Sequence, residues 1–163
     1  MREEITLPAF GVRCTKDEIY VAILEGSIDS PVITDEARVK IILSSPKTAE
    51  SRAEALYNLK RDFEQLLLKY KPDVVLVKDQ ETSRHKIPVQ ASAQRGEIEG
   101  VVLETCFVNK FYVDKVLYAH TKTRLRMEQK SKSFQFEKID ELFGLTLKDD
   151  NIKDAILCAW AGL

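Results

Sequence analysis

Five cations fall within eleven residues: Lys122, Arg124, Arg126, Lys130 and Lys132, with Glu128 the one acid among them and His120 just ahead. Such a cluster can neutralise phosphates. No aromatic residue lies between Lys122 and Lys132, so a base-stacking platform is not indicated. A solvated helix and loop would have the same composition. A second chemically capable stretch follows the apolar run Val74–Val77. It reads Lys78-Asp79-Gln80-Glu81-Thr82-Ser83-Arg84-His85-Lys86, and Arg84 and Lys86 are its own candidates for a phosphate contact. Sites gather at the carboxyl ends of central strands in open α/β sheets. His85 and His120 lack the spacing of zinc ligands, and no metal is assigned from the histidines. No Ser-His-Asp or Cys-His pattern can be placed. Gly11 and Gly26 are isolated, which excludes a glycine-rich phosphate loop and nucleotide hydrolysis.

Composition narrows the classes further. The 163 residues allow one domain, 1–163, with a real core. A hydrophobic share of 44% argues against global disorder. A net charge of −1 implies no bulk electrostatic partner, so any nucleic-acid surface must be local. Cys14, Cys106 and Cys158 are three in number and far apart; they fit neither a disulfide framework nor a metal knuckle. They read as reduced core thiols, and the expected location is cytoplasmic. The opening Met1-Arg2-Glu3-Glu4 lacks the pattern of a signal peptide. No run approaches the ~18 apolar residues of a membrane span.

Periodicity supplies the elements that must hold these residues. Ile5–Cys14 and the alternating Glu18–Leu24 predict a hairpin. The Gly, Ser, Asp and Pro content of 25–36 predicts a loop, and Val39–Leu43 a third strand. A helix begins near Ser45-Pro46 or Thr48. Its apolar stripe is Leu56, Leu59, Phe63, Leu66, Leu67 and Tyr70, and it ends at Pro72. Val74–Val77 is too short and too β-branched for a helix, and predicts a central strand. Ala91–Cys106 predicts a helix in which Gly96 and Gly100 would approach the sheet or another helix closely. Val113–Ala119 is a fifth strand, Thr121–Met127 a short helix, and Phe134–Phe143 a helix ended by Gly144. Asp149 or Asp150 caps a last helix through Ile152, Ala155, Ile156, Ala159 and Trp160.

That order resembles the ribonuclease-H-like fold, and short motifs resemble its RuvC-like, Holliday-junction-resolvase branch and the uncharacterised bacterial proteins related to it. Ala9-Phe10-Gly11-Val12-Arg13 resembles the first strand, which in the family carries a catalytic Asp. Pro72–Lys78 resembles the fourth strand, which ends in a catalytic Glu. Ala93-Gln94-Arg95-Gly96 is similar to the start of the following helix, and Asn151–Ile156 to the last helix with its two Asp three apart. The resemblance implies an α/β, three-layer architecture. Its five-stranded mixed sheet has strands 1–3 as antiparallel hairpins, strands 4 and 5 parallel, and helices on both faces.

The resemblance also implies two-metal phosphodiester cleavage by clustered carboxylates, with Mg²⁺ or Mn²⁺ as the ions. Here the chain departs from it. Arg13 stands at the first Asp position, Lys78 at the Glu position and Asn151 at the third; only Asp154 remains. A guanidinium offers no oxygen ligand and stays charged at any working pH. The leading expectation is therefore a degenerate, catalytically inactive domain, with no cofactor and a binding or assembly role. Nucleic acid and a second copy of the chain are its candidate partners, and a membrane is not. Arg13 and Asp154 would form an ion pair where metal sat. The alternative is a metal-dependent nuclease for structured DNA or RNA, with a shifted set of Asp79, Glu81 and Asp154.

Overall fold

The computed structural model describes residues 6–44, 48–81, 88–144 and 148–163. In chain order it contains β1 (Ala9–Cys14), β2 (Glu18–Ser27), β3 (Ser30–Ile42), α1 (Ala49–Tyr70), β4 (Val74–Lys78), α2 (Val89–Val108), β5 (Val113–Val116), α3 (Tyr118–Arg124), α4 (Lys132–Phe143) and α5 (Asp150–Gly162). The sheet order is β3-β2-β1-β4-β5. The first three strands pair antiparallel; β4 runs parallel to β1, and β5 parallel to β4.

Alternation along the strands sorts side chains to two cores. Phe10, Val12, Val75 and Val77 join Leu59, Phe63 and Leu67 of α1 and Ile98 and Val102 of α2. On the other face, Leu76, Ala22 and Leu24 meet Phe136 and Ile139 of α4 and Ala155, Ile156 and Ala159 of α5. Helices therefore cover both faces. Gly11 shows how close this second layer lies: a Cβ there would sit 1.7 Å from the carbonyl oxygen of Ala155. Only glycine admits α5 at that distance.

Helix ends follow their local chemistry. Thr48 accepts from the Ser51 backbone N–H and Ser51 returns a bond to Thr48, a reciprocal cap for α1. Asp149 caps α5 by accepting from Asn151 N–H at 2.9 Å, and Gly144 ends α4 in the left-handed region at φ 59°.

Several boundaries differ from the sequence reading. Residues 25–36 are not a loop: β2 and β3 stay paired to Ser27↔Ser30, with an irregularity between Ala22 and Leu24. Pro31 is tolerated because β3 is an edge strand. Strand β1 begins at Ala9, after Pro8, and Ile5 lies outside the described residues. β5 stops at Val116, and α3 opens at Tyr118, three residues earlier than expected. Gly96 and Gly100 are exposed, with nothing within 4 Å of a Cβ added at either. The expected close approach inside the monomer is absent among the described residues.

Candidate functional site: a cation-filled centre at the carboxyl ends of the central strands

The pleat that sends Val12 and Val77 toward α1 and α2 sends Arg13 and Lys78 to the α5 side. In the parallel register Val12 sits beside Val77, so the two cations are neighbours at the ends of β1 and β4. The first turns of α5 then bring Asn151 and Asp154 over them. Arg13 Nε lies 3.4 Å from Asp154 Oδ2 and 3.5 Å from Asn151 Oδ1. Lys78 is 1% exposed, and its Nζ donates to Glu81 Oε1 at 2.7 Å and to the Asp79 carbonyl at 2.8 Å.

Tyr118 joins the two pairs. Its hydroxyl donates to Asp154 Oδ1 at 2.6 Å, and its backbone N–H donates to Glu81 Oε1 at 2.6 Å. The Lys78 ammonium lies 4.0 Å from the centroid of its ring, a desolvated cation–π contact. Both oxygens of Asp154 are thus engaged, one by a phenol and one by a guanidinium. Burial pushes the Asp154 carboxyl above its ordinary range; the Tyr118 hydrogen bond and the charges of Arg13, Lys78 and Lys132 offset this only in part. Burial, with the Asp154 charge and hydrogen bond, pushes the Tyr118 hydroxyl upward.

A second network lies across the sheet. Arg95 donates to the Lys78 carbonyl at 2.9 Å and to Glu99 at 2.7 Å. Lys115 reaches Glu99 at 2.7 Å and Asp79 at 2.8 Å. Burial raises the Asp79 carboxyl, but hydrogen bonds from Lys115 and the Gln80 N–H outweigh it and hold it below its ordinary value. Asp79 therefore turns to β5, while Glu81 turns to Lys78 and Asp154 to Arg13. The set Asp79, Glu81 and Asp154 does not gather as ligands around one point. Among the described residues no three His, Cys, Asp or Glu side chains are placed to hold a metal ion. The groups present do not fit a two-metal centre: each carboxylate that faces it is already neutralised by a cation of the chain. Asp149 is spent on its cap and Asp150 on Lys132, 2.8 Å away, so neither adds a carboxylate to the centre.

The basic cluster runs from α3 through the segment after it to Lys132, the first residue of α4. Arg124, Arg126 and Lys130 are exposed and have no ion-pair partner among the described residues. Lys132 is held by Asp150 and lies over the Phe136 ring. Arg84 and Lys86 lie outside the described residues. Tyr118, Glu99 and Lys115 were missed by sequence reasoning, and Arg95 was met there only within the Ala93–Gly96 resemblance. The signal for Tyr118 was the end of β5: once the strand stops at Val116, the next aromatic falls at the carboxyl rim.

No family model and no curated protein sequence matches the chain. Solved structures do. RuvC of Thermus thermophilus in complex with a Holliday junction substrate superposes with a TM-score of 0.74 at 15% identity, over 95% of this chain and 92% of that one. A second Thermus thermophilus RuvC structure gives 0.74 at 16% identity with the same coverage. The yeast mitochondrial Holliday junction resolvase gives 0.64 at 14% identity, over 96% of this chain and 79% of that one. Element order, sheet order and these superpositions together establish a ribonuclease-H-like fold of the RuvC-like form.

Proposed function

We propose that this chain is a RuvC-like domain that has exchanged cleavage for binding: it holds nucleic acid in a complex without a divalent metal and without cutting it. The observation that carries this reading is the charge at the centre. Arg13 and Lys78 stand at two positions where the resemblance expects carboxylates, and each is neutralised locally by Asp154 or Glu81. A metal entering there would meet fixed cations instead of oxygen ligands. Branched DNA is the ligand to test first, because one structural neighbour is described with a Holliday junction substrate. The exposed Arg124, Arg126 and Lys130 supply a local basic surface on a chain of net charge −1.

Calorimetry with Mn²⁺ and a cleavage assay on a four-way junction test this reading, with gel shifts in EDTA alongside. The expected result is a salt-dependent shift in EDTA, weakened by Arg126→Glu with Lys130→Glu, and no cleavage in Mg²⁺ or Mn²⁺. Micromolar Mn²⁺ binding abolished by Asp154→Ala would instead favour the nuclease with the shifted carboxylate set.

The same reading includes a two-fold dimer through α2. Val89 and Phe107 are 85% and 80% exposed. With Ala93, Gly96, Gly100 and the half-buried Leu103 they form one helical stripe. Residues 89 and 107, 93 and 103, and 96 and 100 are symmetric about residue 98. An antiparallel second copy of α2 would therefore set Val89 on Phe107 of the partner subunit, with the glycines at the crossing. The flanking Glu97 and Glu104 are already neutralised by Arg52 and Lys60 of α1, each at 2.7 Å. Sedimentation should show a dimer that Gly100→Arg converts to a folded monomer. A wild-type chain that stays monomeric at high micromolar concentration would remove the dimer.

A further inference from the structure

Helix α3 turns Tyr118 into the centre and shows its other side to a separate cleft. This cleft, of about 390 Å³, is lined by Asp114, Lys115 and Val116 of β5 and by His120, Thr123 and Arg124. It opens beside the edge strand, at the same end of the sheet as Lys78, which pairs with Val116. Its hydrogen-bonding capacity is lopsided. His120 Nδ1 accepts the Leu117 N–H at 3.0 Å, which leaves the imidazole proton on Nε2 as a free donor. Arg124 is exposed and has no partner among the described residues, so its whole fork of N–H groups is available. Lys115 has donated to Asp79 and Glu99 and keeps one N–H. Against these stands one carboxylate, Asp114, whose Oδ1 is occupied by the Lys115 backbone N–H at 2.8 Å.

We propose that this cleft is a phosphodiester subsite, in which His120 and Arg124 hold one backbone phosphate of a nucleic-acid strand beside β5. Free donors outnumber free acceptors, which suits an acceptor-only ligand. Arg124 matches two phosphate oxygens with its fork. Asp114 at the rim favours the singly charged diester over a phosphate dianion, which it would repel more strongly. The inference rests on the nucleic-acid reading above and narrows it: the strand would be anchored by a contact outside the cation-filled centre.

Fluorescence anisotropy with a labelled four-way junction and a labelled single strand, at several salt concentrations, tests it. Arg124→Ala should weaken both ligands by roughly tenfold at low salt and flatten the plot of log affinity against log salt by about one unit. Arg124→Lys should recover the slope but not the full affinity, because it keeps the charge and loses the fork. His120→Gln, which retains a donor, should lose less than His120→Ala. A wild-type chain that binds nucleic acid with affinity and slope unmoved by Arg124→Ala and His120→Ala overturns the subsite and leaves the broader reading standing. A wild-type chain that binds no nucleic acid overturns both. Inorganic phosphate followed on the His120 imidazole resonances then decides the occupant. A saturable shift makes the cleft a site for free phosphate, and none removes the site.

Discussion

Asp154 carries the centre, and its surroundings set a sign that can be measured. Its carboxyl titrates above its ordinary range because burial outweighs the help of Tyr118 and Arg13. A folded-state value above the unfolded one means that the folded chain binds the proton more tightly. The stability this group contributes is present below the ordinary carboxylate value of about 4 and is lost as pH rises through the raised one. Glu18 and Asp79 act in the opposite sense, since their values are depressed and their contributions fade as pH falls. Urea midpoints across mildly acidic pH should therefore decline with rising pH in the wild type and flatten in Asp154→Asn. An identical slope in that variant would show that the carboxyl is not the group responsible. At this scale the gathering of Arg13, Asn151 and Asp154 was legible, because short motifs place them on elements whose mutual register the fold dictates. Tyr118 was not. Its neighbours Val116 and Leu117 extend the apolar pattern of a strand, and the cap that ends it is a His120 ring nitrogen three residues on.

Glycines separate what the elements need from what they tolerate. At Gly11, any side chain meets the α5 backbone at Ala155 and Ala159. Gly11→Ala should cost about 1–3 kcal/mol or more through overpacking, read as a lowered urea midpoint. A Cβ added at Gly100 meets nothing within 4 Å among the described residues. Gly100→Ala should therefore stabilise the monomer by roughly 0.5–1 kcal/mol from helix propensity alone. Equal effects at the two positions would refute this account of the β1–α5 contact. The same comparison shows where patterning fails. Two glycines four apart in a helix suggest close packing, but a single sequence does not say against what. The arm of the β2–β3 hairpin was likewise hidden, because Gly26, Asp29 and Pro31 carry turn chemistry while an edge strand can absorb them. The long amphipathic stripe of α1 and the apolar run of β4 were legible because burial on one face, or on both, leaves a strong period.

Across the whole molecule, the proposed loss of cleavage is a change of charge at the centre and not of the backbone that carries it. The triple variant Arg13→Asp, Lys78→Glu, Asn151→Asp would leave four carboxylates facing the centre from β1, β4 and α5, counting Asp154. It should bind Mn²⁺ in calorimetry where the wild type does not, with an unchanged circular dichroism spectrum. A folded variant that ignores the metal would mean that more than charge separates this chain from a cation-binding centre.

The bare α-carbon at Gly11 has a historical corollary. It seats the last helix on the first strand through main-chain atoms, so this contact does not depend on Arg13, Asn151 or Asp154 at the rim. On the proposed reading, passing from cutting to holding, or back, is therefore a matter of a few side chains at the rim. Nothing beneath them has to be rebuilt.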